Sequence, residues 1–219
     1  PYTVTYTTPG PCATSSTFDV SVTALSTSLV DNNFALSFNG SNEYVSAGNP
    51  TELQVTGDLT ISMWFKTTNT SGYLISDTAA IAGCYSILMG GGGGQLWARR
   101  GNGTNSETTQ KTSNTYNDGN WHNITFVSDS TMRIYIDGVL DVQSTVNTPS
   151  NIGGTTNVKI GSGFSSFDGD IDEVAIWNRA LPLTDIQRIY NGSSTSGKAA
   201  NLFSTGLSNG LVYWNRMGD

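Results

Sequence analysis

Histidine occurs once in this chain of 219 residues, cysteine twice, and basic residues number ten against seventeen acidic ones. Each shortage removes a class of chemistry. With His122 alone, and Cys12 and Cys84 far apart along the chain, no ligand set for zinc assembles. No G-x-S-x-G elbow supplies a nucleophile that His122 could serve. The two cysteines permit at most one bridge. They fall in segments read as separate units, so two free thiols are favoured over a Cys12–Cys84 disulfide, and a partner for Cys12 outside this chain is also open. A net charge of -7 with scattered Lys and Arg argues against a nucleic-acid surface, which needs clustered cations to displace counterions from phosphates. No apolar run is long enough to span a bilayer, and no charged start with an apolar centre marks a signal peptide. The chain opens on Pro1 without Met, as expected for a piece of something longer.

What is abundant is small and polar. Glycine numbers 25 and charged residues make up only 12%, the profile of a turn-rich extracellular β protein. Residues 1–23 read as two alternating strands, YTVTYTT and STFDVSVT, around the turn PGPCATS. Short strands then recur from Phe34 onward. In LTISMWFK, for example, Leu59, Ile61, Met63 and Phe65 alternate with Thr60, Ser62, Trp64 and Lys66. Asp137-Gly138 reads as a two-residue hairpin turn. Later, Ile171, Glu173, Ala175 and Trp177 alternate with Asp170, Asp172, Val174 and Ile176. That strand leads into the one helical pattern, Leu183, Ile186, Ile189 and Tyr190, with Thr184 as its cap, Asp185 in its first turn and Gly192 as its stop. The expected fold is all-β: a two-sheet antiparallel jelly-roll sandwich of about a dozen strands, with one short helix near residues 183–190. The expected units are a hairpin over 1–24, a linker over 25–32, the sandwich over 33–205, and a final strand over 206–219. That last strand either begins a following module or closes an edge of this one.

Four pieces occur in a telling order: ALSFNGSNEYV (35–45), GDLTISMWFKT (57–67), DGNWHNITFV with RIYIDGVL (118–140), and FDGDIDEVAIWNRAL (167–181). Together they resemble laminin-G-like, concanavalin-A-like jelly rolls. That family contains lectins, adhesion modules and carbohydrate-binding appendages of enzymes, so the resemblance implies a fold more firmly than a ligand. Residues 1–24 resemble the last hairpin of immunoglobulin-like repeats in bacterial and phage surface proteins. The resemblance further implies that Trp64, Trp121 and Trp177 are buried and that His122 supports a strand start. It also implies a structural Ca2+ ion at the turn of Asn39, Gly40 and Asn42, with Asp172 adding charge. Asn39 stands where Asp is frequent, which removes one charge. The alternative is that Asn39 and Asn42 hydrogen-bond within the turn while Asp172 accepts from backbone N–H groups.

Glucanases of this architecture carry three carboxylates on alternate residues of one strand. Here Asp170 and Asp172 share a face but Val174 takes the third place, so no enzyme activity is expected. Sugar binding needs a flat aromatic ring with fixed polar groups around it. Trp97 in QLWARR alternates away from Leu96 and Ala98 and lies beside Gly90 to Gly94. It shares a face with Gln95 and Arg99, with Tyr85 and Tyr73 as candidate neighbours, so the expected ligand-binding set is Trp97, Arg99, Gln95 and Tyr85. Alternatively Trp97 covers the outer face of a sheet or meets another module. The expected function is a non-catalytic extracellular recognition or adhesion module of a larger cell-surface or virion protein. Its partners would be glycans and other modules of the same chain. A spacer or assembly unit is the alternative, a glycoside hydrolase ranks behind both, and self-association stays open.

Overall fold

Alternation of apolar and polar residues sends every second side chain to one face of a strand. In the computed structural model two sheets pack through the apolar faces so formed. Residues 2–7, 15–20, 29–77, 85–101, 107–144, 157–193, 198–204 and 206–218 are described. Cys12 and Cys84 lie outside them, and so does the question of their pairing. In chain order the strands are β1 (Tyr2–Thr7), β2 (Ser15–Val20), β3 (Leu29–Asp31), β4 (Leu36–Asn39), β5 (Val45–Gly48), β6 (Leu59–Lys66), β7 (Gly72–Asp77), β8 (Tyr85–Gly90) and β9 (Gln95–Gly101). They continue with β10 (Glu107–Thr115), β11 (His122–Ser128), β12 (Met132–Ile136), β13 (Val139–Gln143), β14 (Val158–Ile160) and β15 (Asp168–Trp177). The helix α1 (Leu183–Ser193), β16 (Lys198–Ala200) and β17 (Leu211–Asn215) complete the chain.

β1 pairs antiparallel with β2, Tyr2 opposite Val20 and Thr7 opposite Ser15. One main sheet has six strands in the order β10-β9-β8-β7-β14-β5. The other has seven: β13-β12-β11-β6-β15-β17, with β4 also pairing β15. β3, within the expected linker, pairs instead with β16. Ile61, Met63 and Phe65 of β6, Phe126 of β11, Ile87 and Met89 of β8, and Leu96 of β9 fill one core between the sheets. Each such burial stabilises by about 1.5–3 kcal/mol. The hairpin turn behaves as expected, with Asp137 at φ 52 and Gly138 at φ 74, the left-handed pair that Asp-Gly accommodates.

A second core lies on the outer face of the seven-stranded sheet. Val127, Tyr135, Ala175 and Trp177 pack there against Leu181, Ile186 and Ile189 of α1 and its approach, with Leu202 and Leu207. The Trp177 indole donates to the Leu207 carbonyl at 2.7 Å. This cover also explains why Ser62, Asn123 and Thr125 are buried. They satisfy one another, Thr125 Oγ1 donating to Ser62 Oγ at 3.0 Å and Asn123 Nδ2 donating to the Met63 carbonyl at 3.2 Å, as buried polar groups require. Among the described residues no helix is long and apolar enough to cross a membrane.

Four details differ from the sequence expectation. The helix starts before Thr184; the Pro182 carbonyl accepts from the amides of Asp185 and Ile186, so Thr184 sits inside the first turn. Gly192 does not stop the helix, which runs one residue further; a Cβ there would come within 2.7 Å of Ala200 Cβ, so glycine serves the close approach of β16. Trp121 is not buried but 39% exposed, because it precedes β11 at the sheet's end. The alternation in β15 also breaks. Asp172 pairs with Trp64 and Ala175 with Ser62, three steps against two, so a bulge lies at Glu173, whose φ is 50. Past it, Val174 and Ile176 point into the inter-sheet core beside Ile171.

Candidate functional site

On the outer face of the six-stranded sheet the register lines up two cross-strand rows. One runs Ser46, Lys159, Ser76, Ser86, Arg99, Thr109 across all six strands. The next runs Tyr73, Leu88, Trp97, Lys111. The first is hydroxyl-bearing and cationic; the second is apolar until it reaches Lys111, with Tyr73 and Leu88 buried and Trp97 and Lys111 its open members. The rows are joined where Arg99 Nη1 donates to the Tyr73 hydroxyl at 3.2 Å. The Arg99 guanidinium also lies 5.5 Å from the Trp97 ring centroid. Phe164 stands edge-on to Tyr73 with centroids 6.0 Å apart and is 79% exposed.

Trp97 is held from both sides. From β8, a Cβ at Gly90 would come within 2.8 Å of indole Cδ2, and one at Gly91 within 3.1 Å of Cζ2. The start of the glycine run is therefore what lets backbone lie against the ring. From β10, Lys111 Nζ sits 4.0 Å from the ring centroid, close enough for attraction to the π face. Among the described residues the buried indole Nε1 has no hydrogen-bond partner.

The sequence-predicted ligand set is brought together only in part. Trp97, Arg99 and Gln95 do share the outer face, but Gln95 Nε2 is committed to the Thr112 carbonyl at 2.8 Å. Tyr85 does not join them. Its ring is in the inter-sheet core, 1% exposed, and its hydroxyl donates to the Leu53 carbonyl. Burial, with the charge of Asp77 second, pushes that phenol far above its ordinary range. Alternation explains the split, since Tyr85 shares its face with Ile87 and Met89. Lys111 and Phe164 were missed. Cross-strand register alone assigns Lys111 to Trp97, and register is not written in either strand's own residues.

The expected calcium ligands do not converge as a set. Asn39 pairs with Asp168, four residues before Asp172. In the turn, Asn39 Oδ1 accepts from the Ser41 amide at 2.8 Å, and Asn39 Nδ2 and N donate to the Glu43 carboxylate. The Asn42 amide donates to Ser166 Oγ, and the Gly40 amide to the Phe167 carbonyl. Asp172, 6% exposed, accepts from the Glu173 amide at 2.7 Å. Among the described residues no group of three or more His, Cys, Asp or Glu is disposed to hold a metal ion.

Asp170 and Glu173 of β15 are likewise engaged. Asp170 accepts from Ser37 Oγ at 2.5 Å and pairs with Lys66 Nζ at 3.4 Å. The bulge turns Glu173 toward β17, where it accepts from Trp214 Nε1 at 2.6 Å and Arg216 Nε at 3.3 Å. Burial raises its carboxyl to about 7; the Trp214 hydrogen bond opposes that rise, the Asp172 charge adds to it, and Arg216 opposes it. His122 lies between Asp137, at 2.8 Å, and Asp118, at 3.2 Å, where it anchors the start of β11.

The sequence that builds these faces matches the concanavalin A-like lectin/glucanases superfamily over residues 39–187. The chain belongs to that superfamily. Several solved structures share this fold. A heptameric SAP-like pentraxin from Limulus polyphemus aligns with a TM-score of 0.55 at 18% identity, over 72% of this chain and 81% of that one. Domains LG4-5 of the mouse laminin alpha1 chain align with a TM-score of 0.54 at 20% identity, over 68% and 44%. A Bacteroides ovatus protein described as a candidate carbohydrate-binding protein aligns with a TM-score of 0.64 at 15% identity, over 83% and 51%. The superfamily domain thus spans about half the length of the laminin and Bacteroides chains, and identities this low speak to fold alone. No curated protein matches the chain in sequence.

Proposed function

We propose that this domain is a non-catalytic carbohydrate-recognition module, acting outside the cell as one unit of a longer surface or virion protein. Its ligand lies on the outer face of the six-stranded sheet. The observation that carries this reading is the partly open ring of Trp97 on that face, with Arg99 and Lys111 beside it. A flat aromatic ring edged by hydrogen-bond donors is the pairing that a pyranose ring requires. The description of the Bacteroides ovatus relative as a candidate carbohydrate binder supports it. Binding without catalysis fits the acids of β15. Hydrolysis of a glycosidic bond needs two carboxyl groups open to the sugar from either side, and here Asp170 is paired with Lys66 while Asp172 and Glu173 are buried.

A broad glycan array followed by titration tests the proposal. The expected outcome is a Kd between about 1 mM and 1 μM for at least one glycan, lost on Arg99→Ala and on Trp97→Ala. Because Trp97 is packed by Gly90 and Gly91, each variant's near-ultraviolet circular dichroism is compared with the parent. A blank array would favour a spacer or assembly role, in which Trp97 covers the sheet or meets a sister module.

A further inference from the structure

We infer that the ligand of this face is an anionic glycan, one whose sugars carry carboxylate or sulfate groups; the inference rests on the carbohydrate reading above. Charge reverses locally on this face. The chain carries 17 acidic and 10 basic residues. Yet in the two rows that hold Trp97 and Arg99 the charged residues are Lys159, Arg99 and Lys111, all cationic, while the acid Glu107 stands one row further along β10, opposite Gly101. Each lies against an aromatic ring: Lys159 Nζ is 4.5 Å from the Tyr44 centroid, Arg99 5.5 Å and Lys111 4.0 Å from Trp97. A patch of one sign in a chain of the other draws ligands of opposite charge.

Lys111 narrows the choice of ligand further. The glycine backbone already covers Trp97 from the β8 side, and the ammonium covers it from the β10 side. A neutral sugar stacking on the indole would have to displace that ammonium and could offer it only uncharged hydroxyl oxygens in return. A sugar bearing an anion gives it a charge-assisted partner and frees the ring face in the same step. Lys111 is exposed, and among the described residues it has no carboxylate partner to hold it back. The anion is therefore the means by which the Trp97 ring becomes available.

The test titrates the domain with two matched pairs: a sulfated oligosaccharide and its desulfated form, and an oligogalacturonate and its methyl ester. The expected result is that at least one acidic form binds about tenfold or more tightly than its neutral counterpart, the weight of one charge-assisted hydrogen bond. That preference shrinks with added salt, disappears in Lys111→Gln and survives in Lys111→Arg. Preference within one pair only supports the inference and identifies the group. Neutral forms binding as well as acidic ones would overturn it and leave carbohydrate recognition standing. Binding of no sugar in either form would overturn both. Acidic glycans held equally by Lys111→Gln would overturn the assignment to this face, as would equal affinity for a single-stranded DNA oligomer of matched charge, which would leave the sugar no part.

Discussion

Glu173 carries the largest departure from what its neighbours in sequence suggest. Alternation alone puts it with Ile171 and Ala175, whereas the bulge gives it φ 50 and turns it onto Trp214 and Arg216. No glycine marks the spot, so a left-handed backbone at a glutamate could not be read from composition. The consequence is measurable. Its folded pKa, about 7, lies above the ordinary 4.5, so the fold prefers the protonated acid. The stabilisation is complete below 4.5 and is lost as pH rises through about 7, a change of about 3 kcal/mol. Melting curves from pH 4 to 8 should show the parent losing stability relative to Glu173→Gln across that window, since glutamine keeps an acceptor for the indole and does not titrate. Parallel curves would refute the raised pKa. At this scale Trp97 and Arg99 were legible as an outward pair because the strict alternation of QLWARR survives in β9. Tyr85 was misplaced although alternation in β8 sets it with Ile87 and Met89, because Leu88 on the other face leaves both faces of that strand partly apolar.

Elements fixed by local chemistry were legible: the Asp137-Gly138 hairpin, the β6 alternation and the single helix. What escaped was whatever depends on a distant partner. The turn between β4 and β5 is the clearest case. Asn39, Gly40 and Asn42 suggested oxygen donors for a hard cation, but the acid expected from β15, Asp172, pairs with Trp64 instead, while Asp168 faces Asn39. The turn is closed by its own hydrogen bonds, with Asn39 Oδ1 and the Glu43 carboxylate already accepting from the chain. Ligand binding raises stability only when a site exists in the fold and is filled, and a cation here would first have to break those bonds. Millimolar calcium and a chelator are therefore expected to give the same melting temperature within about 1 °C, the scale of a few tenths of a kcal/mol. A rise of several degrees with calcium would show that the turn rearranges to bind it.

For the whole molecule, alternation was enough to imply two apposed sheets, because a strand with one apolar face can be buried only against another such face. Strand order was not legible, since it is set by contacts far apart in sequence. The two residences open for the C-terminal strand show the difficulty: LVYWN could begin a new module or close this one, and its pattern is the same in both. In the structure β17 pairs with the second half of β15, Val174 with Asn215 and Ala175 with Trp214, after β4 has paired with the first half. The bulge at Glu173 lies at that change of neighbour. Val212 and Tyr213 pack on the inter-sheet core, Met217 is buried within it, and Trp214 packs on the second core under α1. A chain ending at Gly210 would lose all four side chains and bare one edge of β15, a cost of about 5 kcal/mol. At roughly 2–4 °C per kcal/mol for a domain of this size, its melting temperature should fall by at least about 10 °C, with Trp177 fluorescence shifting as water reaches the second core. If the shortened chain instead melts with the parent, the strand belongs to a following module and its pairing with β15 is not a source of stability.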